Sequence, residues 1–268
     1  IDNELMEKIA LFCDVNRDCV FPCETVDTIY EVPLQLAKHN MANLIGQKLH
    51  LGELHPDLQV WENLINKIKE KKDDLKIALV GKYTNLEDAY LSVIESLKIA
   101  CYHNDRNLQL LWVDSEKLEK DDQKTWQKLD DIAGIVVPGG FGLRGVEGKI
   151  KSANYARSKK IPYLGLCLGM QIMSIEFARA MLSDDQITSQ EFDEQHQINP
   201  DKYLIHYLPG QHQDKEKGGT MRLGAYPCSI IPGTKTQNLY NESEISERHR
   251  HRYEFNNKYI KKLQKTGL

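Results

Sequence analysis

The residues of this sequence best suited to chemistry are Gly165-Leu166-Cys167-Leu168-Gly169, a nucleophile framed by two glycines. They follow the apolar run Ile161 to Leu164 and open a stretch whose apolar positions include Met170, Met173 and Phe177. That order predicts a strand-to-helix turn presenting a nucleophile, with cysteine in place of serine. Glycines are needed because neighbouring side chains on so sharp a turn collide. The helix N-terminus offers unpaired N–H groups and partial positive charge, which predicts a raised thiolate fraction for Cys167. The Leu168 N–H is then placed to donate to an oxyanion. A cysteine among leucines is equally an ordinary core thiol, and these five residues alone leave both readings open.

A second glycine-rich turn, Pro138-Gly139-Gly140-Phe141-Gly142-Leu143-Arg144-Gly145, follows the apolar run ending at Val137. From Gly140 it matches G-x-G-x-x-G, but a glycine, Gly165, stands where a dinucleotide site needs an acid about twenty positions further on. Gly148-Lys149 does not complete a phosphate loop, because Leu143 occupies the place of its first glycine. The other reading is that Gly139 and Gly140 bring backbone N–H groups to a reacting carbonyl, the second half of an oxyanion hole. Two such turns at strand ends fit acyl transfer better than hydride transfer. Cys13, Cys19 and Cys23 form no C-x-x-C pair and have no fourth ligand beside them, so no metal site is expected. Cys101 and Cys228 read as core fillers.

The elements that must position these turns alternate along the chain. Strands are expected at Lys76 to Val80, Leu108 to Val113, Ile132 to Val137 and Pro162 to Leu166. Helices are expected at about Leu86 to Ala100, Glu116 to Leu129, Glu147 to Ser158 and Leu168 to Met181. Strands separated by helices of this length pair in parallel through right-handed crossovers. The fold class is therefore α/β, a doubly wound and mainly parallel sheet, with ligands at the carboxyl ends of its strands. Before it, Ile1 to about Leu51 holds two or three short helical patterns that bury too little to stand alone. Leu58 to Ile68 has helical spacing and runs into Lys69-Glu70-Lys71-Lys72-Asp73-Asp74, a connector helix with a solvated hinge. After Ser183 the sequence shows turn signals but no repeat, then a helical pattern from Lys258 to Lys265.

Composition limits the function. The chain has 268 residues, 41% hydrophobic and 28% charged, with a net charge of −4. It is long enough for one or two domains and lacks the basic surplus of a general nucleic-acid binder. Arg248, Arg250 and Arg252 would share one face of an extended segment, with His249 and His251 on the other; no aromatic run accompanies them, so nucleic acid is not the expected partner. No apolar run is long enough to span a membrane, and Asp2, Glu4, Glu7 and Lys8 interrupt the first segment, unlike a signal peptide. With six cysteines, a reducing cytoplasmic location is expected.

Together with Met170-Gln171 and Pro138 to Gly142, the cysteine turn resembles the class I glutamine amidotransferases. Gly218-Gly219-Thr220-Met221-Arg222-Leu223-Gly224 and Glu247-Arg248-His249-Arg250-His251-Arg252-Tyr253-Glu254 are similar to the CTP synthase family within that class. The likeness runs from about Ile1 to Leu268. It implies a flavodoxin-like glutaminase over 75–268, a connector over 52–74, and the tail of the ammonia-using synthase domain over 1–51, as a short helical extension. It also implies that the Cys167 thiolate attacks the side-chain amide of glutamine, with Gly139, Gly140 and Leu168 holding the oxyanion. Ammonia leaves, and water hydrolyses the thioester. Glutamine would be held by Gly140, Phe141, Gln171, Glu191 in Ser189-Gln190-Glu191-Phe192, Arg252 and Tyr253. The loop from Phe141 to Gly148, with Gly142, Arg144 and Gly145, would be a mobile lid. In the whole family enzyme, expected as a homotetramer, ammonia passes to the synthase domain of the same chain. There ATP with Mg2+ activates UTP for amination to CTP, and GTP stimulates the glutaminase; this chain itself is expected to hold no cofactor.

The family's base is a histidine in a His-Pro-Glu string, which none of the nine histidines here provides. His55-Pro56-Asp57 is the nearest likeness, and it lies in the connector. The expectation is thus a truncated chain that binds and is alkylated but does not turn over. The alternatives are another amidotransferase-like domain, or a catalytically incomplete binding module of the same fold.

Overall fold

The structure, a computed structural model, describes residues 2–84, 86–208 and 221–268. Its contacts divide the chain into two compact units, Ile1–Asp74 with Lys98–Asn107, and Leu75–Leu97 with Leu108–Leu268. The first unit carries helices α1 (Asn3–Phe12), α2 (Val32–Lys38), α3 (Met41–Lys48) and α4 (Gln59–Lys69). Asp2 caps α1 by accepting from the Leu5 N–H at 2.8 Å, and Tyr30 stacks on Trp61 with centroids 6.3 Å apart. Leu11 and Phe12 are 78% and 87% exposed, so this unit leaves apolar surface bare.

The second unit holds most of β1 (Asp73–Gly81), the first half of α5 (Leu91–His103) and most of β2 (Arg106–Asp114), with all of α6 (Ser115–Glu119), α7 (Gln123–Gln127), β3 (Gly134–Val137), α8 (Val146–Lys159), β4 (Tyr163–Gly165) and α9 (Leu168–Leu182). The strand order is β2-β1-β3-β4. β1 runs parallel to β3 with Leu79 opposite Val136, and β3 parallel to β4 with Val137 opposite Gly165. The alternation of buried residues puts helices on both faces. Ala78, Val80, Ile135 and Val137 pack with Leu118 and Ala156, whereas Leu79 and Val136 pack with Tyr90 and Ile94. β3 is buried throughout, as a central strand covered on both faces must be. Such an order has a switch point between β1 and β3, where a crevice opens at the strand ends.

Local chemistry corrects several boundaries. The single helix expected over 116–129 is two short ones, because Asp121 takes a φ of 55° and Asp122 starts α7 afresh by accepting from the Thr125 N–H and hydroxyl. The helix expected from Leu86 is a 3-10 turn, Glu87–Tyr90, before α5. The expected strand Pro162 to Leu166 shrinks to three residues at the sheet edge, with Leu164 53% exposed.

The last third forms β5 (Thr188–Ser189), β6 (Tyr203–Tyr207), β7 (Arg222–Ser229), α10 (Lys235–Tyr240), β8 (Glu244–His251), β9 (Tyr253–Phe255) and α11 (Ile260–Gln264), the last preceded by a 3-10 turn at Asn257–Tyr259. β5 pairs parallel with β6, and β6 antiparallel with β9. This small sheet, through Leu204 and Ile205, and α11, through Leu263, pack with Ile172 and Ile175 of α9. β7 and β8 form a separate antiparallel ribbon with Gly224 opposite His249. His212 and the Gly218-Gly219-Thr220 part of the expected glycine string lie outside the described residues.

Candidate active site

Cys167 stands between β4 and α9 with φ 52° and ψ −106°, so the strain of the turn is carried by the nucleophile itself. Its flanking glycines are there for close approach. A Cβ on Gly169 would lie 2.0 Å from the Val137 carbonyl oxygen, and one on Gly165 would lie 2.3 Å from the Gly169 backbone. The Leu166 N–H donates to the Val137 oxygen at 2.9 Å and fastens the turn to β3. Gly139 is the glycine that abuts the nucleophile: its Cβ position is 3.4 Å from the Cys167 Cβ, whereas that of Gly140 meets only Leu168 and Lys82 at ordinary distance.

The Cys167 thiol is accessible, and it donates to the Arg250 carbonyl at 3.7 Å. The expected helix-favoured thiolate needs correction. Desolvation among the surrounding residues pushes the thiol up, and the Glu191 carboxylate adds to the rise. The Leu168 N–H and the charge of Arg250 only oppose it.

A cavity of about 410 Å³ is lined by Arg250 and walled by Phe141, Gly142, Glu191, Arg252 and Tyr253, five of the residues the sequence singled out, while Cys167, Gly139, Gly140 and Leu168 are not in its lining. Glu191 is set by a 3-10 turn, Gln190–Phe192, that Ser189 caps. Its Oε1 accepts from the Gly142 N–H at 2.8 Å, tying the glycine loop to the cavity wall. Burial pushes the Glu191 carboxyl up, opposed by that N–H and by Lys82, Lys149 and Arg252. Arg252 is buried at the bend between β8 and β9. Tyr253 stacks on Tyr207 at 4.7 Å and donates to its hydroxyl at 3.3 Å.

Other expected residues lie elsewhere. Gln171 is buried one turn into α9 and is not in the lining of this cavity. Arg144 is not in the cavity lining; it pairs with Glu116 at 2.7 Å, donates to the Lys82 carbonyl at 3.1 Å and lies over the Tyr83 ring. Gly145, with φ 70°, packs on Ser115. Of the three arginines expected on one face, Arg250 and Arg252 line the cavity and Arg248 does not. His249 and His251 bond to each other at 2.9 Å, and His251 to the Tyr253 carbonyl at 2.8 Å, so neither enters the cavity. His55 pairs with Glu53 at 3.6 Å in the first unit.

Sequence reasoning missed Lys82, Gln190, Tyr207 and Arg250. Lys82 sits at the carboxyl end of β1, on the switch point, and its ammonium donates to the Phe141 carbonyl. Gln190 accepts from the Tyr207 N–H at 3.1 Å. The signal for Lys82 was its place directly after an apolar strand; Tyr207 reaches the site only through a cross-strand pairing with Tyr253. The described residues contain no group of three or more His, Cys, Asp or Glu able to hold a metal ion, and no helix long and apolar enough to cross a membrane.

A nucleophile elbow at the end of a doubly wound sheet defines a class, and the comparisons agree with it: residues 85–267 match the family described as Glutamine amidotransferase class-I, and the chain belongs to that family. Residues 1–51 match CTP synthase N-terminus. The chain is 50% identical over 270 residues to the CTP synthase of Dehalococcoides mccartyi strain BAV1 and 47% identical over 269 residues to that of Roseiflexus castenholzii. All of this chain is covered in both cases, with 48% and 47% of the relatives, so it spans about half the length of those proteins. The solved glutaminase domain of Trypanosoma brucei CTPS with bound acivicin superposes with a TM-score of 0.63 at 36% identity, covering 72% of each chain.

Proposed function

We propose that this chain is the glutamine-hydrolysing part of a CTP-forming ligase. The observation that carries the reading is Cys167 on its strained turn, joined through Arg250 to a cavity walled by Glu191 and Arg252. A free amino acid brings an ammonium and a carboxylate, for which Glu191 and Arg252 are the complementary charges. With the ends held, the side-chain amide of glutamine is directed at Cys167. The sulfur attacks the amide carbon, the Leu168 and Gly139–Gly140 N–H groups take the oxyanion, and ammonia departs with a transferred proton. Water then hydrolyses the thioester to glutamate.

Because the thiol is pushed up, attack needs an acceptor for its proton, and no histidine among the described residues lines the cavity. We therefore expect alkylation at Cys167 to be driven by binding of the analogue rather than by a ready thiolate, and ammonia release to be slower still until a base is supplied. Residues 75–268 would form the glutaminase, 52–74 a connector, and 1–51 the tail of the synthase domain. The bare Leu11 and Phe12 support a surface that the rest of a synthase domain covers. Use of ATP, Mg2+ and UTP, stimulation by GTP, tetramer assembly and a cytoplasmic location go with the whole protein, and no step through ATP or Mg2+ is derived for this chain.

The test is brief treatment with an electrophilic glutamine analogue followed by peptide mass spectrometry. Cys167 should be labelled first and be protected by glutamine. Equal labelling of Cys228, or labelling that glutamine leaves unchanged, would favour a binding module of the same fold instead.

A further inference from the structure

The Phe141–Gly142 peptide is gripped on both of its sides. The Lys82 ammonium donates to the Phe141 carbonyl, and Glu191 Oε1 accepts from the Gly142 N–H at 2.8 Å. These two groups belong to one peptide unit, and a trans peptide points its C=O and its N–H in opposite directions. A cation therefore stands at the carbonyl side of the peptide and a carboxylate at the other, each facing the partial charge opposite to its own. Turning the peptide over would present the carbonyl to Glu191 and the N–H to Lys82. Gly142 has φ 77°, and glycine takes positive and negative φ about equally readily, so the residue itself does not resist that turn. The two charged side chains set the orientation.

A second stitch runs the other way. Arg144 donates to the Lys82 carbonyl at 3.1 Å and pairs with Glu116 at 2.7 Å, and Lys82 and Arg144 both lie over the Tyr83 ring, 5.6 and 5.5 Å from its centroid. The end of β1 and the glycine loop are thus bound side chain to main chain in both directions. Between the pinned carbonyl and the elbow lie Gly139, whose Cβ position is 3.4 Å from the Cys167 Cβ, and Gly140, whose Cβ position is 3.9 Å from the Lys82 Cε. Two successive glycines have the widest backbone freedom, whereas oxyanion donors act well only when they are held in place beforehand.

We propose that Lys82 is a positioning residue for glutamine hydrolysis: holding the Phe141 carbonyl while Glu191 holds the Gly142 N–H, it keeps the Gly139–Gly140 N–H groups aimed at the oxyanion. This rests on the glutamine reading above. In the loaded site the α-ammonium of the amino acid draws on the same Glu191 carboxylate that grips the loop. Lys82 is not in the cavity lining, so its bond to the loop is independent of the substrate.

The experiment compares wild type, Lys82→Met, Lys82→Arg and Glu191→Gln at pH 8, using the chloromethyl ketone in which a chloromethyl group replaces the amide nitrogen of glutamine. When the Cys167 sulfur attacks, the ketone oxygen takes the place of the oxyanion; the sulfur then bonds to the methylene carbon as chloride leaves. Three quantities are read: the labelling rate at saturation, the glutamine concentration that halves labelling, and the rate with iodoacetamide, which needs no oxyanion donor. In Lys82→Met the saturated rate should fall by about tenfold or more, while glutamine protection and the iodoacetamide rate stay within about threefold of wild type. Lys82→Arg, which keeps a cationic donor, should restore most of the rate. Glu191→Gln keeps an acceptor for the Gly142 N–H, so its main effect should be weaker glutamine protection. If Lys82→Met fails to fold, Lys82→Gln is read in its place, with the same split expected. A saturated rate that Lys82→Met leaves unchanged would overturn the role of the lysine, as would a loss that Lys82→Arg does not restore or that iodoacetamide shares. Absence of saturable, glutamine-protected labelling in wild type would instead overturn the glutamine reading.

Discussion

Helices α8 and α9 each bury a charge, and the two are treated in opposite ways. At the seam between the helices, Glu176 is 4% exposed and accepts from Arg157 at 3.0, 3.0 and 2.8 Å and from Asn154 at 2.9 Å. It is saturated by fixed partners, and nothing is left over for a ligand. At the forward end, Lys149 is 2% exposed without such a fork, and the half-buried Glu191 spends one oxygen on the Gly142 N–H. A saturated buried charge fixes packing; an undersatisfied one next to a cavity is a place where binding changes the balance. The same contrast holds among the carboxylates. Asp193 accepts from the Tyr203 hydroxyl at 2.6 Å and from the Ile198 and Gln197 N–H groups, which hold it below the usual carboxylate range, whereas Glu191 is pushed above it.

The harshest way to break this comparison is Gly169→Ala. Its Cβ would sit 2.0 Å from the Val137 oxygen, so both ends of the α8–α9 pair should lose their footing. We expect no soluble folded protein, read by expression and circular dichroism; a well-folded variant would mean that the elbow can shift away from β3. Cys167→Gly separates the two regions cleanly. Labelling should vanish, while relief of the strained φ should raise stability by about 1 kcal/mol in denaturant unfolding.

Glu176→Gln should do the reverse. Uncoupling a buried, bidentate pair costs about 3 kcal/mol or more, yet the half-saturation for Cys167 labelling should stay within about twofold, since no atom of the seam reaches the cavity. A large change in labelling would tie the seam to the site. On acidification the two carboxylate types should part. Glu191, whose pKa is raised, protonates first on falling pH, so analogue binding is lost while the fold persists. Asp193 and Asp184, whose pKa values are lowered, contribute stability that is complete above the ordinary carboxylate range and lost only as pH falls through their folded values. Coincident loss of labelling and of secondary structure would contradict the division. The smallest effect is expected for Gly140→Ala. Its Cβ meets nothing closer than 3.6 Å and its N–H is retained, so labelling should change less than twofold.

Much of this was legible in the residues. The parallel sheet followed from apolar runs spaced by helix-length segments, and the elbow from two glycines flanking Cys167. Glu191, Arg252 and Tyr253 were placed through family resemblance and then met at one cavity. Other features escaped for definable reasons. One helix became two because Asp121 takes a left-handed φ and the Asp122 side chain caps a new start, neither of which apolar spacing records. Gln171, expected at the substrate, is buried in the first turns of α9, a degree of enclosure that its place in the sequence does not reveal.

What the sequence determined by itself is whatever depends on neighbours along the chain: periodicity, capping, the close approach that only glycine permits, and the helix terminus behind the nucleophile. What tertiary structure decided is whatever depends on distance across it. Cys167 is a raised thiol rather than a ready thiolate because residues far away in sequence, Glu191 among them, surround it. Lys149 read as a failed phosphate-loop residue until the fold closed Glu191, Lys82 and Arg144 around it. Electrostatic energies in a protein depend on burial and on the position of every nearby charge, and neither is defined until the chain has folded.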